Sequence, residues 1–131
     1  MKRVCIDTHA LVWHLSSPRR LGRAAARWLR DADGGRVHVL VPAIVAIELT
    51  LLRQAGRNTV GIPQLEALVA AQPAFSVLPL DLAQAREFAL LETMRDPFDR
   101  MLVAAARVAG TSLITADTAI RDSALVEIVW D

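Results

Sequence analysis

Short apolar runs alternate with longer segments of helical periodicity along this chain. Val4-Cys5-Ile6 is the first run, and a continuous apolar stretch of this length fits a strand buried on both faces. Thr8 to Trp13 reads as the start of a helix that Pro18 breaks. Leu21 to Ala32 predicts a second, amphipathic helix, with Leu21, Ala25, Trp28 and Leu29 on one face and Gly34-Gly35 at its end. Val37 to Val41 predicts a second strand, and Pro42 suits the first turn of the next helix. That helix, Ile44 to Gln54, is strongly apolar and ends at Gly56. Ile62 to Ala71 predicts a shorter helix and Phe75 to Leu78 a third strand. Asp81 suits the N-cap of a helix through Met94. Asp96-Pro97 opens another, Phe98 to Ala109, stopped by Gly110. Ser112 to Ile114 and Val126 to Val129 complete the strands. Strands that alternate with helices predict an α/β fold: a mainly parallel sheet with helices on both faces.

Size and composition narrow this picture. A chain of 131 residues fits one domain, residues 1–131, with room for a proper core. Its longest apolar stretch is interrupted by Glu48 before reaching the length of a membrane span. The apolar start runs straight into Asp7, unlike a secretory signal. Cys5 is the single cysteine, which excludes an internal disulfide and suits a cytoplasmic thiol. A formal net charge of +1 argues against a bulk polyanion binder and leaves room for a local basic patch. The 53% apolar content with few aromatics favours a surface used for self-association or a partner.

Four acids carry the candidate chemistry. Asp7 follows the first strand directly, at the edge where open α/β sheets place their ligands. Asp117 follows the fourth strand in the same way, through Thr115-Ala116. Either could instead cap the helix after it. Asp99 falls at the third position of the helix opened by Asp96-Pro97, where acids are favoured by the helix dipole regardless of chemistry. Asp96 itself reads as the N-cap. Glu48 is the least comfortable, because Ile44, Leu51 and Leu52 stand at its helical neighbours and predict a largely dry setting.

Topology brings these four to the carboxyl edge of one parallel sheet. Converging carboxylates raise one another's pKa values, and a hard divalent cation with oxygen ligands, Mg²⁺ or Mn²⁺, removes that penalty. Such a site activates water and stabilises charge on a phosphoryl group, which suits phosphodiester hydrolysis.

Ile6-Asp7-Thr8-His9 after a first strand, Glu48 in an apolar helix, Arg95-Asp96-Pro97-Phe98-Asp99-Arg100 opening a helix, and Thr115-Ala116-Asp117 after a strand resemble the PIN-domain family. The order and spacing are most similar to VapC-type toxins of bacterial toxin–antitoxin pairs. The resemblance covers nearly the whole chain. It implies a PIN-like three-layer fold with a twisted five-stranded sheet, and a metal-dependent endoribonuclease. It carries the acidic roles to Asp7, Glu48, Asp99 and Asp117, with Thr8 and Thr115 as supporting residues that orient acids or water. It further implies a homodimer and a cognate antitoxin whose tail enters the acidic groove. The alternative is a PIN fold that binds RNA or a protein without cutting.

Fourteen of the fifteen basic residues are arginine, whose planar fork suits phosphate. Arg19, Arg20, Arg23, Arg27 and Arg30 crowd the second helix and its approach, and either touch RNA backbone or form a solvated face. Arg100 is a separate candidate for RNA or the antitoxin. His9 and His14 read as packed or surface residues, and Trp13 and Trp28 as core or dimer contacts. A response-regulator receiver is excluded because the only lysine is Lys2. A haloacid-dehalogenase phosphatase is excluded because His9 stands where a second Asp is required.

Overall fold

The computed structural model describes residues 2–131. Among these, five strands form one parallel sheet: β1 (Lys2–Ile6), β2 (Val37–Pro42), β3 (Phe75–Leu78), β4 (Ser112–Ile114) and β5 (Ile128–Val129). Their order is β3-β2-β1-β4-β5, so β1 is central and the winding reverses beside it. In open α/β sheets that reversal leaves a crevice outside the strands' carboxyl ends. The helices are α1 (Thr8–Ser16), α2 (Arg23–Asp33), α3 (Ala43–Gln54), α4 (Ile62–Ala71), α5 (Leu82–Leu90), α6 (Pro97–Ala109) and α7 (Thr118–Ser123), with a 3-10 turn at Pro18–Arg20. None of them is long and apolar enough to cross a membrane.

The α/β architecture and its mainly parallel sheet agree with the sequence expectation, and the sheet is parallel throughout. Val4, Cys5 and Ile6 are fully buried, as expected of a strand covered on both faces. The Cys5 thiol receives a hydrogen bond from the Thr111 hydroxyl at 3.3 Å, and burial pushes its pKa up. Helix α6 rests on β1 and β4 and buries Leu102, Val103, Ala105 and Ala106 there. Gly110 ends it at φ +70°, a left-handed conformation that glycine adopts without a Cβ penalty.

Several boundaries differ from the sequence expectation for local reasons. Helix α5 stops at Leu90, not Met94. Arg100 of α6 donates from Nε to the Phe88 carbonyl at 2.8 Å and from Nη2 to the Ala89 carbonyl at 3.4 Å, satisfying acceptors at the end of α5. The same guanidinium lies 4.1 Å from the centre of the Phe88 ring. β5 shrinks to two residues because Ala124 adopts φ +57° and Arg107 holds the Leu125 carbonyl at 2.7 Å. Pro42 ends β2 and stands at the N-cap of α3, one place ahead of the first helical turn.

Helix α2 begins at Arg23 instead of Leu21, where the chain crosses the segment that follows β5. The Ala25 N–H donates to the Trp130 carbonyl at 3.0 Å, and the Trp130 ring meets Trp13 of α1 at 5.7 Å between centroids. Gly22 makes this crossing feasible, since a Cβ there would stand 2.2 Å from the Trp130 carbonyl oxygen. Gly22→Ala must displace backbone, and is expected to lower stability by about 3 kcal/mol. Urea unfolding of the variant beside wild type measures this. A loss no larger than that of an exposed helix substitution would show that the crossing yields freely.

Candidate active site

The register of the sheet builds the first part of the site. Ile6 of β1 pairs with Ile114 of β4, so the next residues, Asp7 and Thr115, emerge side by side from the carboxyl edge. The Asp7 N–H continues the ladder to the Ile114 carbonyl at 3.0 Å. The Asp7 side chain has two partners: Oδ1 accepts from the Ala10 N–H at 2.8 Å, and Oδ2 accepts from the Thr115 hydroxyl. Asp7 is therefore both the N-cap of α1 and a wall of the crevice. Thr8, buried in the first turn of α1, donates its hydroxyl to Glu48 Oε1 at 2.5 Å and ties α1 to α3.

Asp117 repeats the pattern of Asp7. It caps α7 by accepting from the Ile120 N–H at 2.9 Å, and its own N–H donates to the Thr115 hydroxyl oxygen at 3.0 Å. Asp96 caps α6 by accepting from the Asp99 N–H at 3.0 Å, with Pro97 in the first turn. Three helices thus start at this edge, and their N-terminal dipoles favour negative charge.

Asp7, Glu48, Asp99 and Asp117 line one cavity of about 370 Å³, together with Thr8, His9, Trp13, Asp96, Leu102 and Ala116. Its electrostatics are those of crowded acids. Burial pushes the Asp7 carboxyl up to about 6, with Glu48 adding to the rise while Thr115, Ala10 and His9 oppose it. Asp99 is pushed up to about 7 by burial first, then by the charges of Asp117 and Asp96, a hydrogen bond with Asp117 and the charge of Glu48.

The donor set is entirely hard oxygen, and its excess negative charge suits Mg²⁺ or Mn²⁺ better than softer metals. Among the described residues, no three His, Cys, Asp or Glu side chains already meet as a ligand set. The acids line separate walls of the cavity.

The remaining residues singled out in the sequence fall in several places. Arg20 is exposed in the 3-10 turn, its guanidinium 4.4 Å from the centre of the Trp13 ring, and so reaches the border of the acidic cavity. Arg19 lines a separate hollow with His14, Arg30 and Asp33. Arg23 and Arg27 are exposed on α2. Arg100 is engaged with the end of α5. His14 stacks on Phe75 at 5.7 Å, and burial lowers its pKa. The dry setting expected for Glu48 is only partial: Ile44 is buried, but Leu51 is 47% exposed.

Sequence reasoning gave Asp96 only a capping role and His9 no role, yet both line the cavity. The signal for Asp96 was present, since an N-cap and the third residue of its helix stand close together.

Residues 4–124 match the family model of the PIN domain. The chain belongs to the PIN-domain family. Ribonuclease VapC22 of Mycobacterium tuberculosis is 29% identical to this PIN domain over 123 residues, covering 92% of each chain. Among solved structures, VapBC2 of Rickettsia felis bound to a promoter DNA fragment gives a TM-score of 0.70 at 12% identity, covering 98% of this chain and 99% of that one. The DNA-bound VapBC of Salmonella typhimurium gives 0.66 at 16% identity, covering 98% and 97%. At such identities the two structures establish a shared fold.

The raised pKa values make a stability prediction whose sign is fixed. An acid whose folded pKa lies above its unfolded value favours folding while protonated. Asp7 therefore costs stability increasingly as pH rises from about 4 through about 6, and Asp99 through about 7. For Asp7 the gap from 3.8 to about 6 corresponds to roughly 3 kcal/mol. Asp7→Asn, which keeps an acceptor for Ala10, should raise the melting temperature at pH 7 in EDTA and lose that advantage near pH 4. Thermal unfolding across this range checks it; an equal effect at both pH values would show that Asp7 carries no such cost.

Proposed function

We propose that this PIN domain is a VapC-type endoribonuclease, the toxin of a toxin–antitoxin pair, hydrolysing RNA phosphodiester bonds. The observation that carries the reading is the convergence of Asp7, Glu48, Asp99 and Asp117 on one cavity at the sheet's carboxyl edge. Similarity to a curated ribonuclease over 92% of both chains supports it. The four carboxylates are the proposed holders of Mg²⁺ or Mn²⁺. When bound, that ion supplies positive charge for the phosphoryl oxygens and acidity for a water.

The chain's own residues supply orientation. Thr115 fixes Oδ2 of Asp7, and Thr8 fixes Oε1 of Glu48, so each acid keeps lone pairs directed into the cavity. Asp99, with its raised pKa, is the acid most readily left protonated before charge is neutralised. No other side chain stands out as a general base, so the acids and the water they orient carry the proton transfer. Attack by water leaves a 5′-phosphate and a 3′-hydroxyl.

The proposed setting is a cytoplasmic homodimer of this single unit, silenced by a cognate antitoxin. Exposed Ile47 and Leu51 on α3, and Leu82 and Leu90 on α5, supply apolar surface for such contacts. The VapBC complexes of similar fold give the antitoxin its support.

Purified, antitoxin-free protein should cut a mixed panel of structured and single-stranded RNAs with Mg²⁺ or Mn²⁺ and stop in EDTA. Asp7→Asn should abolish cutting. Equal cutting by wild type and variant would assign it to a contaminant, and a 2′,3′-cyclic phosphate product would contradict hydrolysis by water. A wild type that neither cuts nor binds metal would favour the non-cutting binding module.

Thr115→Val tests the positioning role separately. It should lower kcat about ten- to a hundredfold while leaving KM for RNA nearly unchanged. Unchanged kcat would remove Thr115 from the machinery.

A further inference from the structure

A second hollow, of about 420 Å³, adjoins the acidic cavity and shares His9 and Trp13 with it. Its other walls come from two separate places: the second half of α1 with the 3-10 turn, and the end of α3 with the loop that follows it. The first contributes Arg20 and the second contributes Arg57 and Asn58. We infer that this hollow is the subsite for the nucleotide next to the scissile phosphodiester, with Arg20 and Arg57 taking phosphate. The inference rests on the ribonuclease reading above for the word scissile, and on the hollow itself for the nucleotide.

Two observations carry it. Arg20 and Arg57 are both exposed, and among the described residues neither takes part in an ion pair, unlike Arg36, Arg107 and Arg121. Two free guanidiniums beside an acidic cavity give a strand two anchoring points that the carboxylates cannot supply. Trp13 carries the Arg20 guanidinium on its ring at 4.4 Å and is itself braced by Trp130, so Arg20 is held at the seam between the two cavities.

Asn58 shapes the loop that carries Arg57. Its Oδ1 accepts from the Val60 N–H at 2.6 Å, which fixes the orientation of the amide. Its Nδ2 is buried away from solvent, so the side chain braces the turn that carries Arg57. Sequence reasoning included Arg20 in its arginine run but had no means to bring Arg57 and Asn58 to it from a different loop.

The test is fluorescence anisotropy with a short single-stranded RNA in EDTA, which reads binding without cleavage. Arg20→Ala and Arg57→Ala should each weaken binding roughly tenfold and reduce the salt dependence by about one phosphate contact. Arg36→Ala and Arg121→Ala, whose guanidiniums sit in exposed ion pairs elsewhere, should leave it unchanged. Melting temperatures verify folding, and Arg57→Ala sits on an exposed loop if Arg20→Ala proves unstable.

Losses equal to those of Arg36→Ala would overturn the subsite. So would displacement of RNA by an acidic peptide of matched charge with equal effectiveness, which would assign the hollow to an anionic protein segment. With metal added, cleavage whose KM is untouched by Arg20→Ala and Arg57→Ala would overturn the subsite and leave the nuclease standing. Binding through both arginines without any cleavage would retain a nucleotide hollow and remove the nuclease.

Discussion

Asp7 and Thr115 are neighbours only because β1 and β4 run parallel in one particular register, with Ile6 opposite Ile114. The hydroxyl–carboxylate bond formed there holds a buried acid at the sheet's carboxyl edge, and the Asp117 N–H closes onto the same hydroxyl oxygen. A slip of one residue would turn Val4, Cys5 and Ile6 to the opposite faces and take Asp7 away from Thr115. The apolar pattern of the two central strands and the chemistry of their tips are therefore set by a single alignment. Helices α1 and α7 start from its two products, which is why the crevice and the core cannot be altered independently.

The cost of this arrangement is comparable with what the core returns at a few positions. Holding Asp7 ionised at neutral pH costs roughly 3 kcal/mol, while fully burying one large aliphatic or aromatic side chain yields about 1.5–3 kcal/mol. Leu11, Leu29, Leu49, Phe75 and Leu113 are all buried essentially completely, so one or two of them offset the acid. Among the described residues, three of the four buried polar ones, Asp7, Thr8 and Thr115, belong to the crevice, and each has a hydrogen-bond partner there. The fold thus concentrates its buried polarity in one place and leaves the remaining interior almost wholly apolar.

Much of this was legible in the residues themselves. Val4-Cys5-Ile6 and Val37 to Val41 announced strands by apolar runs, and Asp96-Pro97 and Gly110 bracketed α6 by cap chemistry alone. The convergence of the acids followed from strand order, since Asp7 and Asp117 occupy equivalent places after parallel strands. What was not legible depended on partners distant in sequence. The end of α5 is set by a guanidinium from α6, the start of α2 by the Trp130 carbonyl, and the brevity of β5 by Arg107. Local propensity contains none of these. Arg100 shows the same point for the site: its place beside Asp99 in the chain suggested a ligand contact, whereas its long side chain reaches back to Phe88.

The double duty of Asp7 and Asp117 bears on how a protein of this shape could drift. Both begin a helix with the carboxylate that also faces the crevice, so their loss would weaken the scaffold even in a descendant with no chemistry left to perform. Asn, Ser or Thr could succeed them there without harm to the helix start. Asp99 accepts no capping bond, and Glu48 serves the scaffold only as the acceptor of the Thr8 hydroxyl, a bond that the neutral Gln would also accept. In a decaying lineage the charge at 7 should therefore be lost readily, while a capping side chain lingers at 7 and 117 and none is required at 99. This chain still holds all four.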